Sequence, residues 1–222
     1  MRGRFITLEG GEGAGKSTLA RALAGRLRQR GLAVTLTREP GGSPRAEEIR
    51  ETILSGRIRP YGAFAEALMF SAARIDHIDR LIRPALEQGD WVICDRFSDS
   101  TRVYQGALGA IEPALLAELE AVTVAGLRPD LTLILDIDPK LGLARAASRR
   151  APGETSDRFE SEDLAFHTRL REAFLAIAAE EPQRCAVLDA GLAPEALAQA
   201  AFAVLEQRLP FPANRSFPAN EG

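Results

Sequence analysis

Apolar residues run along this chain in two rhythms. Short, nearly unbroken apolar blocks alternate with longer stretches in which apolar residues recur every three or four positions. The blocks are residues 4–9 (Arg-Phe-Ile-Thr-Leu-Glu), Leu32 to Thr37, Trp91 to Cys94, Leu131 to Ile137 and Cys185 to Leu188, and each reads as a strand. Between them lie helical patterns. The first spans Lys16 to Arg30, where Leu19, Leu23 and Leu27 form one stripe, and Gly31 ends it as a C-cap. Further helices are predicted over 44–54, 63–88 (with a kink or break near Pro84), 111–125, from Pro139 onward, 161–180 and 194–209. Glu39-Pro40-Gly41-Gly42 and residues 55–62 break regular structure, and residues 151–157 are a polar segment. Strands that are apolar throughout and alternate with helices predict an α/β fold: a five-stranded parallel sheet with helices on both faces.

The 222 residues suit one domain over 1–209 and a flexible tail over 210–222. The tail holds two copies of one tetrapeptide, Phe211-Pro212-Ala213-Asn214 and Phe217-Pro218-Ala219-Asn220. A net charge of −3 argues against a general basic coat, so no nucleic-acid partner is expected. Ala196 to Leu205, ten residues, is the longest run without a charge and about half a membrane span, so no membrane partner is expected. Met1-Arg2-Gly3-Arg4 leads straight into a strand, with no signal peptide pattern. Two cysteines without CxxC spacing predict free thiols in the cytoplasm. Two histidines are too few for a His-based zinc site. Of 28 basic residues only Lys16 and Lys140 are lysines, so the position of Lys16 carries information.

Lys16 closes the run Gly10-Gly11-Glu12-Gly13-Ala14-Gly15-Lys16-Ser17, a full match to GxxxxGK[ST] between a strand and a helix, with Thr18 next. Glycines let successive N–H groups converge on phosphate oxygens, and the helix N-terminus adds its positive end. Lys16 can reach the β- and γ-phosphates, and Ser17 can offer its hydroxyl to Mg²⁺. ATP or GTP with magnesium is therefore expected. Asp95, at the end of the third strand, is a second candidate for holding the metal; an N-cap or an ion pair with Arg96 is the plain alternative. Arg38 and Arg96 also end strands. Parallel strands share one carboxyl edge, so Lys16, Arg38, Asp95 and Arg96 should meet in one crevice. Two arginines there exceed what one nucleotide needs and point to a second phosphate. Arg145, Arg149, Arg150 and Arg158 bracket residues 151–157. They read equally as a solvated charge cluster or as a lid of about 146–160 whose arginines close on the transferred phosphoryl group.

Several longer stretches carry a family pattern. They are Leu8-Glu9-Gly10 before the phosphate loop, Thr37-Arg38-Glu39-Pro40-Gly41-Gly42, Leu68-Met69-Phe70-Ser71-Ala72-Ala73-Arg74, Asp95-Arg96 with Ser98 to Gly106, and Arg128-Pro129-Asp130-Leu131-Thr132. In these the chain resembles the bacterial thymidylate kinase (dTMP kinase) family, nucleoside monophosphate kinases of P-loop NTPase fold, over roughly residues 3–209. The resemblance implies ATP + dTMP → ADP + dTDP, with another small-molecule or nucleoside monophosphate kinase of the same fold as the alternative. It implies that Phe70 stacks on thymine, that Arg74 bonds a base carbonyl, and that Ser100, Thr101 and Gln105 lie at the base edge. Tyr104 sits under the deoxyribose, Arg38 and Arg96 hold the monophosphate beside Glu39, and Glu12 faces the acceptor sugar. The loop carries Glu12 and no arginine, so the catalytic cation comes from the lid, with Arg149 ahead of Arg150 and Arg158. A homodimer paired through long helices is implied by the resemblance alone.

Overall fold

A computed structural model describes residues 2–149 and 159–211. Its core is one sheet of five parallel strands in the order β2-β3-β1-β4-β5. The strands are β1 (Phe5–Gly10), β2 (Val34–Arg38), β3 (Trp91–Asp95), β4 (Leu131–Asp136) and β5 (Cys185–Asp189). The helices are α1 (Lys16–Gln29), α2 (Pro44–Leu54), α3 (Gly62–His77), α4 (Arg83–Gln88), α5 (Ser98–Thr101), α6 (Pro113–Val124), α7 (Pro139–Ser148), α8 (Leu164–Glu180) and α9 (Pro194–Arg208). The expected sheet and its two helical layers are present.

Period-two alternation divides each strand between the layers. Ile6 and Leu8 of β1 join Ile93, Leu133 and Leu188 against Leu19, Leu23 and Leu27 of α1 and Leu197, Ala201 and Leu205 of α9. Phe5, Val92 and Cys94 turn the other way, with Phe97, Ile78 and Ile82. On that second side Val103 and Ile134 pack with Leu170, Phe174 and Ile177 of α8. Burying these apolar side chains contributes about 1.5–3 kcal/mol each.

The structure corrects the reading of the strands, bears out the break expected near Pro84, and adds structure over 98–107 and at the start of the tail. The strands are not apolar throughout. Thr7 and Thr132 face each other inside the sheet with hydroxyls 2.7 Å apart, Glu9 is fully buried, and the edge strands β2 and β5 are half-exposed in part. The helix expected over 63–88 is interrupted by a π-helical turn, Ile78–Ile82, in which Arg83 N–H bonds the Ile78 carbonyl. The wider turn comes just before Pro84, which has no N–H to continue an α-helical ladder. Residues 98–107, to which the apolar pattern assigns no element, form α5 and a second π turn, Arg102–Ala107. The tail begins by docking: Phe211 lies 4.9 Å from Trp91 and 6.1 Å from Phe202, with the Arg30 guanidinium 5.4 Å over its ring. The rest of the tail, residues 212–222, and most of the expected lid, residues 150–158, lie outside the described residues.

Candidate active site

Strands β2, β3 and β1 end side by side, and the same alternation decides where each terminal side chain goes. On β3, Trp91 and Ile93 face the α1 layer, so Asp95 continues toward the first turn of α1. There its carboxylate accepts from Ser17 Oγ at 2.5 Å. Arg96 follows in the left-handed region, φ 70°, a conformation that costs a non-glycine residue about 1–2 kcal/mol. Its N–H is held by the Leu8 carbonyl at 2.9 Å. The guanidinium donates to the Gly10 carbonyl at 3.1 Å, Ser100 Oγ at 3.2 Å and Glu12 Oε1 at 2.6 Å. It also lies 5.3 Å over the Tyr104 ring.

The loop after β1 is packed to the limit of what glycine permits. A Cβ on Gly13, φ 68°, would stand 1.8 Å from the Gly142 carbonyl of α7. Lys16 starts α1 and is buried; its Nζ donates to the carbonyls of Gly10 at 3.0 Å and Gly11 at 2.8 Å. Burial and the nearby Arg96 charge push the Lys16 ammonium down to about 8, against the pull of Glu12, Asp95 and Glu9. Burial would raise the Glu12 carboxyl, but Arg96, Lys16 and the Tyr104 hydroxyl outweigh it and hold it below the usual carboxylate range. Glu12 therefore stands ionised, accepting from Arg96 and from Tyr104 Oη at 3.0 Å.

Across the cavity a buried network joins β2 to α3. Arg74 is 3 % exposed and donates from Nε to Glu39 Oε2 at 2.7 Å. Its Nη2 donates to the Phe97 carbonyl and to Thr101 Oγ1, each at 3.2 Å. His77 Nδ1 lies 3.1 Å from the other Glu39 oxygen, and its Nε2 lies 2.8 Å from Thr37 Oγ1. A carboxylate only accepts, so Nδ1–H donates to Glu39. The Glu39–Pro40 peptide is cis. Arg38 stands at the rim, half-exposed, with Nη2 donating to both oxygens of Glu47 at 3.0 Å.

These groups enclose one cavity of about 220 Å³. Of the residues singled out from the sequence, it brings together Glu12, Gly13, Gly15, Lys16, Ser17, Arg38, Glu39, Phe70, Arg74, Asp95, Arg96, Ser100, Thr101, Tyr104, Gln105 and Arg149. It does not gather all of them. Gly10 and Gly11 line a smaller recess behind the loop, next to His167. Ala14 is buried in the core, and Thr18 is exposed outside the cavity wall. Arg149 ends α7 with Nε donating to the Arg145 carbonyl at 3.3 Å, while Arg150 and Arg158 lie outside the described residues. Arg145 turns away, donating to the carbonyls of Ala190 at 2.6 Å and Gly191 at 3.2 Å.

The wall also contains Pro40, which stands in the quoted family pattern, and Arg50, Leu54, Phe97 and Phe159, which do not. Behind it stand Glu9, His77, Asp99 and Arg184. Asp99, 1 % exposed, accepts from Arg184 Nη1 at 2.6 Å and Nη2 at 3.0 Å, and from Arg102 Nη1 at 3.0 Å. The one available signal was Glu9, a carboxylate inside an apolar strand.

A thymidylate kinase family model matches residues 8–201. A thymidylate kinase of Nitrobacter winogradskyi is 58 % identical over 208 residues, 94 % of this chain and 90 % of that protein. One from Rhodopseudomonas palustris (strain TIE-1) is 57 % identical over 214 residues, 96 % of this chain and 93 % of that one. A crystal structure of thymidylate kinase from Ehrlichia chaffeensis superposes with a TM-score of 0.74 at 31 % identity, covering 92 % of this chain and 100 % of that one.

Proposed function

The chain belongs to the thymidylate kinase family, ATP-dependent kinases that phosphorylate dTMP to dTDP in nucleotide biosynthesis, and we propose that the cavity beside the phosphate loop is where both nucleotides meet. The observation that carries this reading is the convergence of the phosphate loop with Arg38, Arg74 and Arg96 on one cavity of about 220 Å³. The loop Gly10 to Ser17, with Thr18, takes the ATP phosphates, and Lys16 moves from its loop carbonyls to the β- and γ-phosphates. Phe70 stacks on the thymine ring; Arg74, Thr101 and Gln105 line the base edge. Tyr104 lies under the deoxyribose, and Glu12 faces its 3′ side.

Ser17 and Asp95 present adjoining hydroxyl and carboxylate oxygens, a hard donor set that fits Mg²⁺. Bound there, the ion neutralises charge on the transferred phosphoryl group. The residues of the chain do the positioning. Arg38 and Arg96 orient the dTMP phosphate, whose second pKa of about 6 leaves it largely dianionic at pH 7, so no general base is required. One of its oxygens forms the new bond to the γ-phosphorus as the bond from that phosphorus to the β–γ bridging oxygen breaks, and ADP leaves with the bridging oxygen. Lys16 and the lid arginine, Arg149, stabilise the equatorial oxygens. Closure of the lid, about 146–160, excludes water.

We infer one kinase domain over 1–209, a homodimer and a cytoplasmic setting. Exposed Phe64, Leu68 and Ile75 on α3 and Leu115 and Val122 on α6 supply an apolar face for pairing, which light scattering on a sizing column tests. No helix among the described residues is long and apolar enough to cross a membrane, and Cys94 and Cys185 are buried free thiols. A coupled ADP-release assay with dTMP, dUMP, UMP, CMP, AMP and GMP tests the acceptor assignment. Fastest turnover with dTMP is expected, and equal turnover with UMP would remove Tyr104 from its proposed place.

A further inference from the structure

The segment 97–107 has a buried anchor that the mechanism above leaves unused. Glu9 is 0 % exposed, on the face of β1 opposite Leu8. Its Oε1 accepts from Phe97 N–H at 2.8 Å and Ser100 N–H at 3.3 Å, and its Oε2 accepts from Ser100 Oγ at 2.6 Å. With its hydrogen given to Glu9, Ser100 Oγ has only lone pairs left to offer Arg96, whose Nη1 donates to it at 3.2 Å. A relay thus runs from the strand that launches the phosphate loop, through one hydroxyl, to a guanidinium on the cavity wall.

We propose that Glu9 is a positioning residue for the acceptor phosphate: its ionised carboxylate sets the Ser100 hydroxyl and the 97–100 turn, and through them the fork of Arg96. This rests on the reading of Arg96 as a ligand of the dTMP phosphate. Protonation would turn Oε2 into a donor and leave the Ser100 hydroxyl hydrogen without its acceptor. Burial, helped by the Asp99 charge, pushes the Glu9 carboxyl up to about 7; Ser100, Arg96 and the Phe97 amide oppose it. The titratable and charged groups facing it are Asp99 on α5, Arg96 and Cys94 at β3, and Lys16 at α1. The relay therefore changes state near neutrality.

Steady-state kinetics with both substrates varied, from pH about 5.5 to about 9, read this out. In the unaltered enzyme kcat/KM for dTMP should fall on the acid side with a midpoint near the Glu9 value of about 7. Glu9→Gln should raise KM for dTMP about tenfold, the equivalent of one charged hydrogen bond, with KM for ATP within about twofold. Its acid limb should move to about 6, the second ionisation of dTMP itself. Ser100→Ala keeps the Glu9 carboxyl and removes the hydroxyl that joins it to Arg96. It should shift KM for dTMP the same way, and adding Glu9→Gln to it should cost less than about twofold more. Where Glu9→Gln does not fold, the acid limb of Ser100→Ala decides: with the relay cut it should move from about 7 to about 6, which loss of a direct contact to the base would not do. An unchanged KM for dTMP in either folded variant, or equal losses for both substrates, overturns the proposal. Arg96→Ala separates the two readings. Without effect on dTMP, it removes the acceptor-site assignment itself; with a raised KM beside inert Glu9 and Ser100 variants, it removes only the relay.

Discussion

On the proposed assignment, the donor side of the cavity comes from eight consecutive residues, Gly10 to Ser17; the acceptor side is gathered from β2, α3, the end of β3 and the turn 97–107. The donor loop works mainly through its backbone, and its requirements are small residues and one ammonium. The acceptor side would work through side chains, and several of these or their neighbours are held by partners far away in sequence. Arg74 is fixed by Glu39, 35 positions earlier. Ser100 is fixed by Glu9, 91 positions earlier. Asp99 is fixed by Arg184, 85 positions later. Backbone recognition can be written as a contiguous motif, whereas side-chain recognition of this kind needs the fold first.

The contrast predicts different responses on the two sides. Lys16→Ala should lower kcat by about a thousandfold with little change in melting temperature, since its proposed role is charge at the transferred phosphoryl group; stopped-flow ADP release and calorimetry check both. Gly13→Ala should damage the loop itself. Its φ of 68° and the Gly142 carbonyl 1.8 Å from the new Cβ leave no room, and ATP affinity and stability should fall together. Gly15→Ala, with open space around the new Cβ, should cost only the left-handed strain of about 1–2 kcal/mol. A Gly15→Ala protein as damaged as Gly13→Ala would show that shape around the loop matters less than backbone conformation.

On the acceptor side, Glu39→Ala leaves Arg74 charged and unpaired in the interior. It should destabilise the protein by about 3–5 kcal/mol, as breaking a buried pair does, and raise KM for dTMP. Arg38→Ala removes only a half-exposed pair with Glu47, worth about 0–1 kcal/mol, so its loss should appear in KM for dTMP and not in stability.

The smallest effect belongs to Glu181. Hydrogen bonds from Arg184 and Arg102, with their charges, outweigh its partial burial and hold its carboxyl down at about 2. The stability it contributes is fully present above its ordinary value of 4.5 and is lost as the pH falls toward about 2. Glu181→Gln should cost about 1 kcal/mol at neutral pH, after screening at a partly exposed site, and nothing near pH 2. A difference that persists at pH 2 would mean that the residue acts by shape.

The sheet was legible because its inner strands are buried on both faces and write themselves as apolar runs. The phosphate loop was legible because glycine, lysine and serine must stand at fixed spacing. The segment 98–107 was not, since Ser-Asp-Ser-Thr-Arg carries no apolar stripe and its helical turns are fastened by Glu9 of β1 and by Arg184, just before β5. The same holds for His77, which looks like any helix residue until Glu39 and Thr37 are seen on its two nitrogens. Arg145 shows the converse: it belongs to an arginine cluster in sequence, yet its guanidinium is committed to the loop after β5.

Calorimetric titration of Lys16→Ala and Arg96→Ala, each with dTMP and with a non-hydrolysable ATP analogue, tests the division of the cavity most directly. The division predicts that Arg96→Ala binds dTMP at least about tenfold more weakly, as loss of a charged hydrogen-bond donor requires, and keeps its affinity for the analogue. Lys16→Ala should show the reverse. If either variant weakens both ligands equally, the cavity does not have separate donor and acceptor sides.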